Sequence, residues 1–596
     1  MAPVGVDHLT GTAPDPHHRA RTPLDAPRRS AYNVGPMLLL LACTASTPRL
    51  ADPLPDPRAD RDDTVPAGAI EDLPGADTPA DPTDAVFDPT RIATLELTMG
   101  GADWAEIRDT PWTETWHTAT FRWDDDEVTE IAVRAFGQGS QIAGKSSLKL
   151  SFDRVVDGQE WRGLDELKLD NSSQDVGFLN EFLATAIMRR FGVPAARTGW
   201  ARVRVNGENA GFFVVLESID DRFVERWFGH DDGVLYGMNS GYYAQGLNPM
   251  ADGLTWFEPQ TSIDSDGADL VALAETVASG TDEELAAVLD LRGFGRESVA
   301  RSVMGSMDAF SADGNNYYLY DDGGRWTILP WDFDVDLGGY YFSQALTVDP
   351  RAPWATSPWA VNPITGAAYT DPVLTRNLAS GLDTDALVAE LLAGAMDWET
   401  VDAEAKAAAE LIRDDVYADV LGYGSAFDQR RADVRMFLHA RLSGLTGYDV
   451  APCAIPDGLP ADAVSLADMA PTGTVGWGEL LVDRTYWGPG FSVAGEHGCT
   501  GVFAHAPSTV TVTIPDGVTR LVGKAGLQDW VQQCGDGAVF AIRQGTTLWE
   551  SDTLRNYDAA AAFEVEVSPG ALTLVTTTNA DYSCDTAAWV DVWGAR

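Results

Sequence analysis

The sequence predicts an α+β domain of two lobes followed by an all-β sandwich. Three observations predict this fold class. Segments with alternating apolar and polar residues dominate from about residue 88, and helical periodicity dominates later, up to about residue 450. Beyond residue 460, short alternating segments recur between Gly, Pro and Asp turns, which is the pattern of an antiparallel sandwich. A chain of 596 residues is long enough to bury more than one such core.

The composition is that of a globular protein with an acidic surface. Hydrophobic residues make up 45% of the chain and charged residues 22%, both ordinary values for a folded protein. The 41 Lys and Arg residues against 90 Asp and Glu residues give a formal net charge of −49 at pH 7. A field of that sign repels phosphate backbones and anionic lipids. The sequence therefore predicts no nucleic-acid partner and no membrane binding through a basic patch.

The first 87 residues predict an export signal and a tether. Residues 1–43 place an Arg-bearing stretch before MLLLLAC, which runs from Met37 to Cys43, in the order of a bacterial secretory signal. The site resembles a lipoprotein cleavage site, so Cys43 is a candidate lipid anchor; a true start at or near Met37 is an alternative. Residues 44–87 hold eight prolines, which predicts an extended tether. We expect an extracytoplasmic protein of the cell envelope, lipid-anchored or secreted.

Four of the five cysteines lie in the last quarter of the chain: Cys453, Cys499, Cys534 and Cys584. If Cys43 carries a lipid, an even number remains, and in an exported chain this predicts two disulfides. Cys534 with Cys584 is the pairing we favour, because both immediately precede predicted strands. The connectivity itself stays open at this point.

A Gly-rich turn with two nearby lysines lies in the first folded part, residues 88–450. GSQIAGKS formally satisfies the P-loop pattern, but the SSLKLSF that follows alternates as a strand, where a P-loop needs a helix. A Gly-rich turn between two strands, with a lysine on the second, is the phosphate device of protein kinases. Because the chain has only five lysines, Lys145 and Lys149 together indicate an anion site. Exposed strand lysines without a partner remain the alternative.

Two predicted elements follow this turn. Residues 173–191 have the spacing of an amphipathic helix, with Glu181 beside its apolar face. Glu181 either pairs with one of the lysines or is solvated. RVRVNGENAGFFVVLES predicts a hairpin that turns near Asn206 and Gly207 and ends at Glu217. We include Glu217 among the candidate cofactor-binding residues.

The densest group of acidic and amide side chains lies in MDAFSADGNNYYLYDDGGRWTILPWDFDVDLGG. Asp332 and Asp334 stand two residues apart, and Asp308 precedes them, with Asn315 and Asn316 between. Hard oxygen ligands suit Mg²⁺, which prefers a few carboxylates plus substrate phosphates to an all-protein cage. Turn and capping roles are the alternative for such pairs in an acidic chain.

The run from about residue 88 to 450 resembles the CotH family of atypical secreted protein kinases, named for a spore-coat protein. The matching pieces are GQGSQIAGKSSLKLSF, LDNSSQDVGFLNEFLA, VNGENAGFFVVLESID, D-x7-NYYLY and PWDFD. The resemblance implies a kinase-like fold that binds ATP and Mg²⁺ or Mn²⁺. It also implies phosphorylation of Ser or Thr in a protein acceptor.

The same resemblance implies roles for single residues. Asp308 would be the catalytic aspartate and Asn316 the asparagine of the same loop. Asp332 would bind the metal, with Asp334 close by. Lys145 or Lys149 would contact phosphate. Glu181 and Glu217 are further candidate cofactor-binding residues, taken from the helix and the hairpin described above.

The chain departs from the family pattern at two places. Asn315 stands where the family often has histidine. A Gly-Gln-Gly-Ser sequence beginning at Gly137 replaces a Gly-Asn-Ser-Ser type of loop. Both departures bear on activity more than on fold.

Residues 465–596, after a linker at 451–464, resemble the NPCBM family of carbohydrate-binding modules, a galactose-binding-like sandwich. The matching pieces are SLADM, GWGELLVDRTYWG, GVFAHAPSTVTVTIP, GDGAVFAIRQGTTLWES and CDTAAWVDVW. Such modules dock sugars on aromatic side chains with a few polar groups, so the resemblance implies a glycan or cell-envelope polysaccharide partner. The candidate platforms, each with a core role as the alternative, are Trp477, Trp487, Trp530 and Trp589.

The sequence is compatible with three functions. The first is a surface-anchored protein kinase targeted by its carbohydrate-binding module. The second is a non-catalytic adhesin or scaffold with a kinase-like fold. The third is a metal-dependent carbohydrate-active enzyme that uses Asp332 and Asp334. The chain has no Gly-x-Ser-x-Gly elbow, which argues against Ser-His-Asp catalysis. Its eight histidines show no metal-ligand spacing, which argues against a histidine metal site.

Overall fold

The computed structural model describes residues 81–338, 372–446 and 455–596, apart from residues 82, 138–139, 239–246, 248–256, 261–264, 307, 380, 457, 486–487, 495, 529–535, 557 and 581–584. The predicted leader with Cys43 and most of the tether lie outside the described residues, as do Cys453, Cys534 and Cys584. Cys499 is described, and it is disulfide-bonded. Within the described part, no helix has the length and apolar character needed to cross a membrane.

A closed barrel of short strands forms the first lobe. Its strands are β1 (Ile92–Met99), β2 (His117–Trp123), β3 (Asp126–Phe136), β4 (Ser147–Ser151), β5 (Glu166–Asp170), β6 (Thr198–Val205) and β7 (Glu208–Leu216). Their order is β1, β2, β3, β4, β5, β7, β6, and β1 closes the barrel by pairing in parallel with β6. Alternate side chains such as Leu95, Leu97, Phe121 and Leu150 fill the interior. The predicted strand after the Gly-rich turn is present as β4.

Short helices lie between the barrel strands or directly after them. They are α1 (Gly101–Asp109), α2 (Asn180–Arg190) and α3 (Asp221–Phe228), with a 3₁₀ helix at Pro111–Thr113. The predicted amphipathic helix begins at Asn180 rather than near residue 173. The reason is that the Asp175 carboxylate accepts the backbone N–H groups of Gly177 (3.2 Å) and Asn180 (2.7 Å), which holds a turn before the helix.

The second lobe combines a sheet with a group of helices. The sheet strands are β8 (Val234–Met238), β9 (Phe257–Pro259), β10 (Tyr317–Asp322) and β11 (Arg325–Pro330), in the order β11, β10, β8, β9. The helices are α4 (Ala268–Ser279), α5 (Asp282–Val288), α6 (Leu291–Met304), α7 (Pro372–Ala379), α8 (Thr384–Ala393), α9 (Trp398–Tyr417) and α10 (Gly424–Thr446). The β10–β11 hairpin pairs Tyr317 with Pro330. It therefore brings the residues before β10 next to the residues after β11.

One hydrophobic cluster joins α2 to the C-terminal helices. Leu183 and Ile187 of α2 are fully buried in the same cluster as Ile412 of α9 and Phe437 of α10. Burying each side chain of this size stabilises the fold by about 1.5–3 kcal/mol. This packing holds α2 against the second lobe, so the site residues on α2 have a defined position.

The C-terminal domain is an antiparallel sandwich. Its strands are β12 (Val464–Ser465), β13 (Thr472–Thr474), β14 (Leu481–Val482), β15 (Arg484–Thr485), β16 (Gly488–Pro489), β17 (Phe491–Val493), β18 (Glu496–Gly498), β19 (Gly501–Phe503), β20 (Ser508–Ile514), β21 (Arg520–Leu527), β22 (Ala538–Gln544), β23 (Thr546–Glu550), β24 (Ala561–Glu566), β25 (Gly570–Thr578) and β26 (Ala587–Ala595), with a 3₁₀ helix at Ala467–Met469. One sheet has the order β14, β19, β26, β21, β24, with β12 also on β26, and the other has the order β13, β20, β25, β22, β23. Two hairpins, β15–β16 and β17–β18, lie outside these sheets. The predicted fold class, a two-lobed α+β domain followed by an all-β sandwich, is confirmed.

Candidate active site

The loop between α6 and β10 carries Asp308, and two amide side chains hold it. Asn315 Nδ2 donates to Asp308 Oδ1 at 2.9 Å, and Asn316 Nδ2 donates to the Asp308 carbonyl oxygen at 3.2 Å. Asn316 has a φ of 57°, in the left-handed region that Asn tolerates better than most residues. Asn315, the residue that departs from the family pattern, therefore orients the Asp308 carboxylate in this chain.

Trp331 connects this loop to the segment that follows β11. The Trp331 N–H donates to the Asn316 carbonyl oxygen at 3.0 Å, which extends the hairpin pairing by one bond. Burial and then the charge of Asp308 raise the pKa of Asp332 to about 6. The structure thus brings Asp308, Asn316 and Asp332 together from separate parts of the sequence.

Arg301 of α6 holds the segment after β11 in place. Its Nη2 donates to the Trp331 carbonyl oxygen at 2.6 Å, and its Nη1 donates to the Asp332 carbonyl oxygen at 3.1 Å. Nη1 also lies 3.2 Å from Asp336 Oδ2, and both of these side chains are fully buried. Asp332 has a φ of 57°, a conformation that costs of order 1–3 kcal/mol in a residue other than Gly. The sequence prediction did not include Arg301. The feature that could have identified it is an arginine on the buried side of a helix.

Two residues of α2 contact the same segment. Asn180 Nδ2 donates to the Asp334 carbonyl oxygen at 2.6 Å. Glu181 Oε1 accepts the Phe333 N–H at 2.8 Å, and its side chain is buried. The two environments expected for Glu181, a lysine partner or solvent, are therefore both wrong. Outside the helix, Gln174 Nε2 donates to Asp334 Oδ2 at 2.9 Å.

Several carboxylates gather around Asp332, and this donor set fits a divalent metal. Burial and then the charge of Asp332 raise the pKa values of both Asp334 and Glu181 well above the ordinary range. Asp170, at the end of β5, contributes to both shifts. A cation would relieve this repulsion. Two carboxylates plus substrate phosphates are the ligands that Mg²⁺ prefers, so Asp332 and Asp334 are the residues that would hold it.

Among the described residues, a separate group of one histidine and two aspartates also brings metal-ligand atoms close together. His230, Asp232 and Asp322 offer ligand atoms that all lie within 4.8 Å of one another. His230 Nδ1 lies 2.5 Å from Asp232 Oδ1, and Nε2 lies 3.6 Å from Asp322 Oδ1. Each ring nitrogen lies nearest to a different carboxylate. Exposed acidic groups of this kind are common without a metal, so we assign no metal to this surface group.

Lys145 is enclosed in the protein and paired. Its Nζ lies 2.9 Å from Asp419 Oδ2, with both side chains fully buried, and donates to the Asn171 carbonyl oxygen at 2.9 Å. Burial lowers the pKa of Lys145 to about 8, and Asp419 opposes the shift. Three aromatic rings have centroids within 5.3 Å of its ammonium group: Phe178, Phe213 and Tyr423. This environment gives Lys145 a structural partner and does not support its predicted contact with phosphate.

Lys149 and Lys168 lie directly opposite each other on β4 and β5. They therefore share one face of the barrel wall. Glu166 lies between them, with carboxylate oxygens 2.6 Å from Lys149 Nζ and 3.7 Å from Lys168 Nζ. Lys168 Nζ also lies 4.5 Å from the centre of the Trp331 ring. Sequence analysis counted Lys168 among the few lysines but missed it as a site residue; its signal is a lysine on the strand that precedes α2.

Glu217 follows β7 and belongs to a separate group of ion pairs. Its carboxylate lies 2.7 Å from Arg197 and 2.6 Å from Arg226 of α3. Burial acts to raise the pKa of Glu217, but Arg226 and Arg197 together hold it below its ordinary value. Arg197 also pairs with Asp84 at 2.7 Å. The Glu217 side chain thus connects the barrel to α3 and to the N-terminal segment rather than to the lysines.

The candidate sugar platforms of the sandwich differ in exposure. Trp477 is 50% exposed, and its ring lies edge to face with His505 at a centroid distance of 5.8 Å. Trp589 is fully buried in the hydrophobic core, so the prediction of a platform there is wrong. Trp487 and Trp530 lie outside the described residues. Trp477 is therefore the candidate whose exposure suits sugar stacking.

Two families match this chain. Residues 133–441 match the family described as CotH kinase protein, and residues 462–593 match the NPCBM/NEW2 domain. The chain is 22% identical to inner spore coat protein H of Bacillus subtilis over 251 residues, which cover 38% of this chain and 67% of that protein. It is 34% identical to alpha-1,3-galactosidase B of Akkermansia muciniphila over 122 residues, which cover 19% of this chain and only 15% of that protein.

Solved structures of low similarity resemble each part. The Helicobacter pylori proinflammatory kinase CtkA matches with a TM-score of 0.28 and 13% identity, covering 53% of this chain and 92% of that chain. The CBM51 module of Clostridium perfringens GH95, in complex with methyl-galactose, matches with a TM-score of 0.21 and 16% identity. The match covers 22% of this chain and 99% of that chain. The CotH match, from β3 to α10, spans more than half of the 596 residues. The chain therefore belongs to the CotH kinase protein family, with an NPCBM/NEW2 domain after its kinase-like domain.

Proposed function

We propose that this chain is an extracytoplasmic protein kinase that transfers the γ-phosphate of ATP to Ser or Thr of a protein acceptor. The observation that carries the proposal is the arrangement around Trp331. Its backbone N–H bonds to Asn316 in the Asp308 loop, and its ring faces the Lys168 ammonium at 4.5 Å. Asp332 follows it directly. One residue thus joins the candidate base, the candidate metal ligand and a phosphate-binding cation.

The charges of these groups suit the parts of a nucleotide. Lys149 and Lys168 present ammonium groups on one sheet face, where they would bind phosphate oxygens. Asp332 and Asp334 would hold Mg²⁺ or Mn²⁺, which when bound offsets phosphate charge. Arg301 keeps the backbone around Asp332 in one conformation through its bonds to two carbonyl groups. Positioning and charge compensation are what phosphoryl transfer chiefly requires.

The transfer step assigns the proton to Asp308. The acceptor hydroxyl oxygen forms a bond to the γ-phosphorus, and the bond from that phosphorus to the bridging oxygen breaks, so ADP leaves. The hydroxyl proton passes to the Asp308 carboxylate, which Asn315 orients through its bond to Oδ1. A base placed in this way lowers the barrier by positioning as well as by proton transfer.

The sandwich would place the kinase on a glycan or cell-envelope polysaccharide. The NPCBM/NEW2 match and the exposed Trp477 support this part of the proposal, because sugars stack on exposed aromatic rings. Export, a lipid at Cys43 and two disulfides among the C-terminal cysteines belong to the same proposal. An exported chain reaches the oxidising environment in which disulfides persist.

The test is phosphate transfer by the purified chain. We expect nucleotide binding with Mg²⁺ or Mn²⁺ in calorimetry, and incorporation of radiolabelled γ-phosphate into the chain itself or into a generic acceptor such as casein. No nucleotide binding with either metal would favour the non-catalytic adhesin or scaffold. Cleavage of a nucleotide sugar in place of phosphate transfer would favour the metal-dependent carbohydrate-active enzyme.

A further inference from the structure

The lysine pair of the barrel depends on one carboxylate. Lys149 and Lys168 are direct cross-strand neighbours, and like charges placed directly opposite each other destabilise a sheet. Glu166 stands two residues before Lys168 on β5, so its side chain lies on the same face. Its Oε2 is 2.6 Å from Lys149 Nζ, and its Oε1 is 3.7 Å from Lys168 Nζ. One carboxylate therefore gathers both ammonium groups.

Glu166 is itself held from a third element. Ser218 Oγ, just after β7, donates to Glu166 Oε1 at 2.8 Å. Glu166 and Lys149 each retain about a fifth of their side-chain exposure, at 20% and 23%. Lys149 and Glu166 are thus fixed by contacts and partly exposed, whereas Lys168 is buried beside the Trp331 ring. Burial acts to raise the pKa of Glu166, but Lys168 and Lys149 hold it below its ordinary value.

The helix glutamate is engaged elsewhere. In protein kinases a glutamate on a helix pairs with the phosphate-binding lysine of a strand. Here Glu181 of α2 accepts the Phe333 N–H at 2.8 Å, and the charges that act on it come from Asp332, Asp170 and Arg301. Its contact is with the segment that follows β11. A helix glutamate could hold both the phosphate-binding lysines and the metal-binding segment. In this chain Glu166 contacts the lysines, and Glu181 contacts the segment after β11.

We infer that Glu166 is the positioning residue for Lys149 and Lys168, while Glu181 positions the Asp332 segment; the inference rests on the proposed nucleotide site. Lysine placement is then set within the sheet by β4, β5 and Ser218. It does not depend on the position of α2. Binding of nucleotide phosphates and binding of the metal become separable properties, each with its own supporting glutamate.

The experiment measures the affinity of the full chain for a non-hydrolysable ATP analogue by calorimetry, without metal and with Mg²⁺. Glu166→Gln keeps the shape and an oxygen for Ser218 but removes the charge. We expect it to weaken metal-free binding by roughly tenfold, the effect of one charge-assisted contact. Glu127→Gln, on an exposed position of β3, is the matched control and should bind as the wild type does.

A second set of variants, made in a chain without the two lysines, tests whether Glu166 acts through those lysines or only supports the fold. In the Lys149→Met/Lys168→Met chain, Glu166→Gln should have no further effect on affinity, because a residue that acts through the lysines has nothing left to position. Glu181→Ala should weaken Mg²⁺-dependent binding while sparing the metal-free component. If Glu166→Gln binds the analogue as tightly as the wild type or more tightly, the inference fails while the proposed function stands. The same holds if the effect of Glu166→Gln is undiminished in the chain without the lysines. A wild-type chain that binds no nucleotide would overturn the proposed function as well.

Discussion

Asp308 and Asp332 are nearby carboxylates with different surroundings, and we expect their substitutions to have different effects. Asp308 accepts one side-chain amide, whereas Asp332 lies in a buried segment held by Arg301. We expect Asp332→Asn to abolish metal-dependent nucleotide binding, because the phosphates lose their counter-charge. Asp308→Asn should leave binding close to that of the wild type and lower turnover by about 10²–10⁴-fold. Nucleotide titration and a radiolabel transfer assay on both variants measure this, and equal losses in both assays would contradict it.

The Lys145–Asp419 pair makes a prediction about stability. Removing one member of a fully buried ion pair leaves the other uncompensated, which costs about 3–5 kcal/mol. We expect Lys145→Met to lower the free energy of unfolding by that amount in urea denaturation. Asp419 also accepts the Phe212 N–H at 2.7 Å, so Asn at position 419 keeps an acceptor while removing the charge.

Two comparison variants check this prediction. Lys145→Met/Asp419→Asn should be less destabilised than Lys145→Met alone, because no unpaired carboxylate remains. Lys149→Met removes a partly exposed lysine and should cost less than about 1 kcal/mol. If Lys149→Met destabilises the chain more than Lys145→Met does, the assignment of Lys145 as the structural lysine fails.

At the scale of elements, the start of α3 predicts a pH dependence of stability. The Asp220 side chain caps α3 by accepting the Phe223 N–H at 3.0 Å. Burial, with smaller contributions from Glu166 and Glu217, raises its pKa to about 7 from 3.8. Between about pH 4 and 7 the folded chain keeps a proton that the unfolded chain has lost. The free energy of unfolding therefore falls as pH rises through this window.

Asp220→Asn tests that dependence. Asn caps a helix about as well as Asp and does not titrate, so the variant should melt at a higher temperature than the wild type at pH 8 and lose part of the pH dependence. Thermal unfolding at pH 5 and pH 8 measures the difference. Asp397→Asn, at the N-cap of α9, is the matched control for the exchange itself. A variant less stable than the wild type at pH 8 would refute the assigned cause.

At the scale of the whole molecule, the sandwich has its own core and a defined contact with the kinase-like domain. Its central cluster is formed by sandwich residues such as Val510, Phe540 and Trp589. Arg431 of α10 donates to the Ala494 carbonyl oxygen at 3.0 Å. We expect residues from about 460 onward to fold alone and to bind a glycan in an array of polysaccharides and envelope sugars.

Trp477 provides the variant for that experiment. Trp477→Ala should reduce glycan binding by the fragment at least tenfold while leaving its melting temperature nearly unchanged, because the ring is half exposed. Trp589→Ala, in contrast, should unfold the fragment, since a large core side chain contributes about 3–5 kcal/mol. A folded fragment without affinity for any glycan would leave the domain a docking module only.

The sequence by itself determined the strand pattern and part of the composition of the candidate site. Alternation at period two placed β4 after the Gly-rich turn, and short alternating segments placed the sandwich, because these patterns are local. The PWDFD carboxylates and the Asp308 loop could likewise be recognised from residue types and spacing. The exact start of α2 could not, because a side chain before the helix, Asp175, decided where the turn ended.

Only the tertiary structure decided which charges meet. Lys145 and Lys149 are equivalent by sequence, yet Lys145 pairs with Asp419 of a distant loop and Lys149 with Glu166 of the adjacent strand. Glu181 turned toward the Phe333 N–H rather than toward a lysine. The physical reason is that an ion pair depends on distance and burial, which are set by how barrel, helices and loops pack, whereas spacing along the chain constrains only near neighbours.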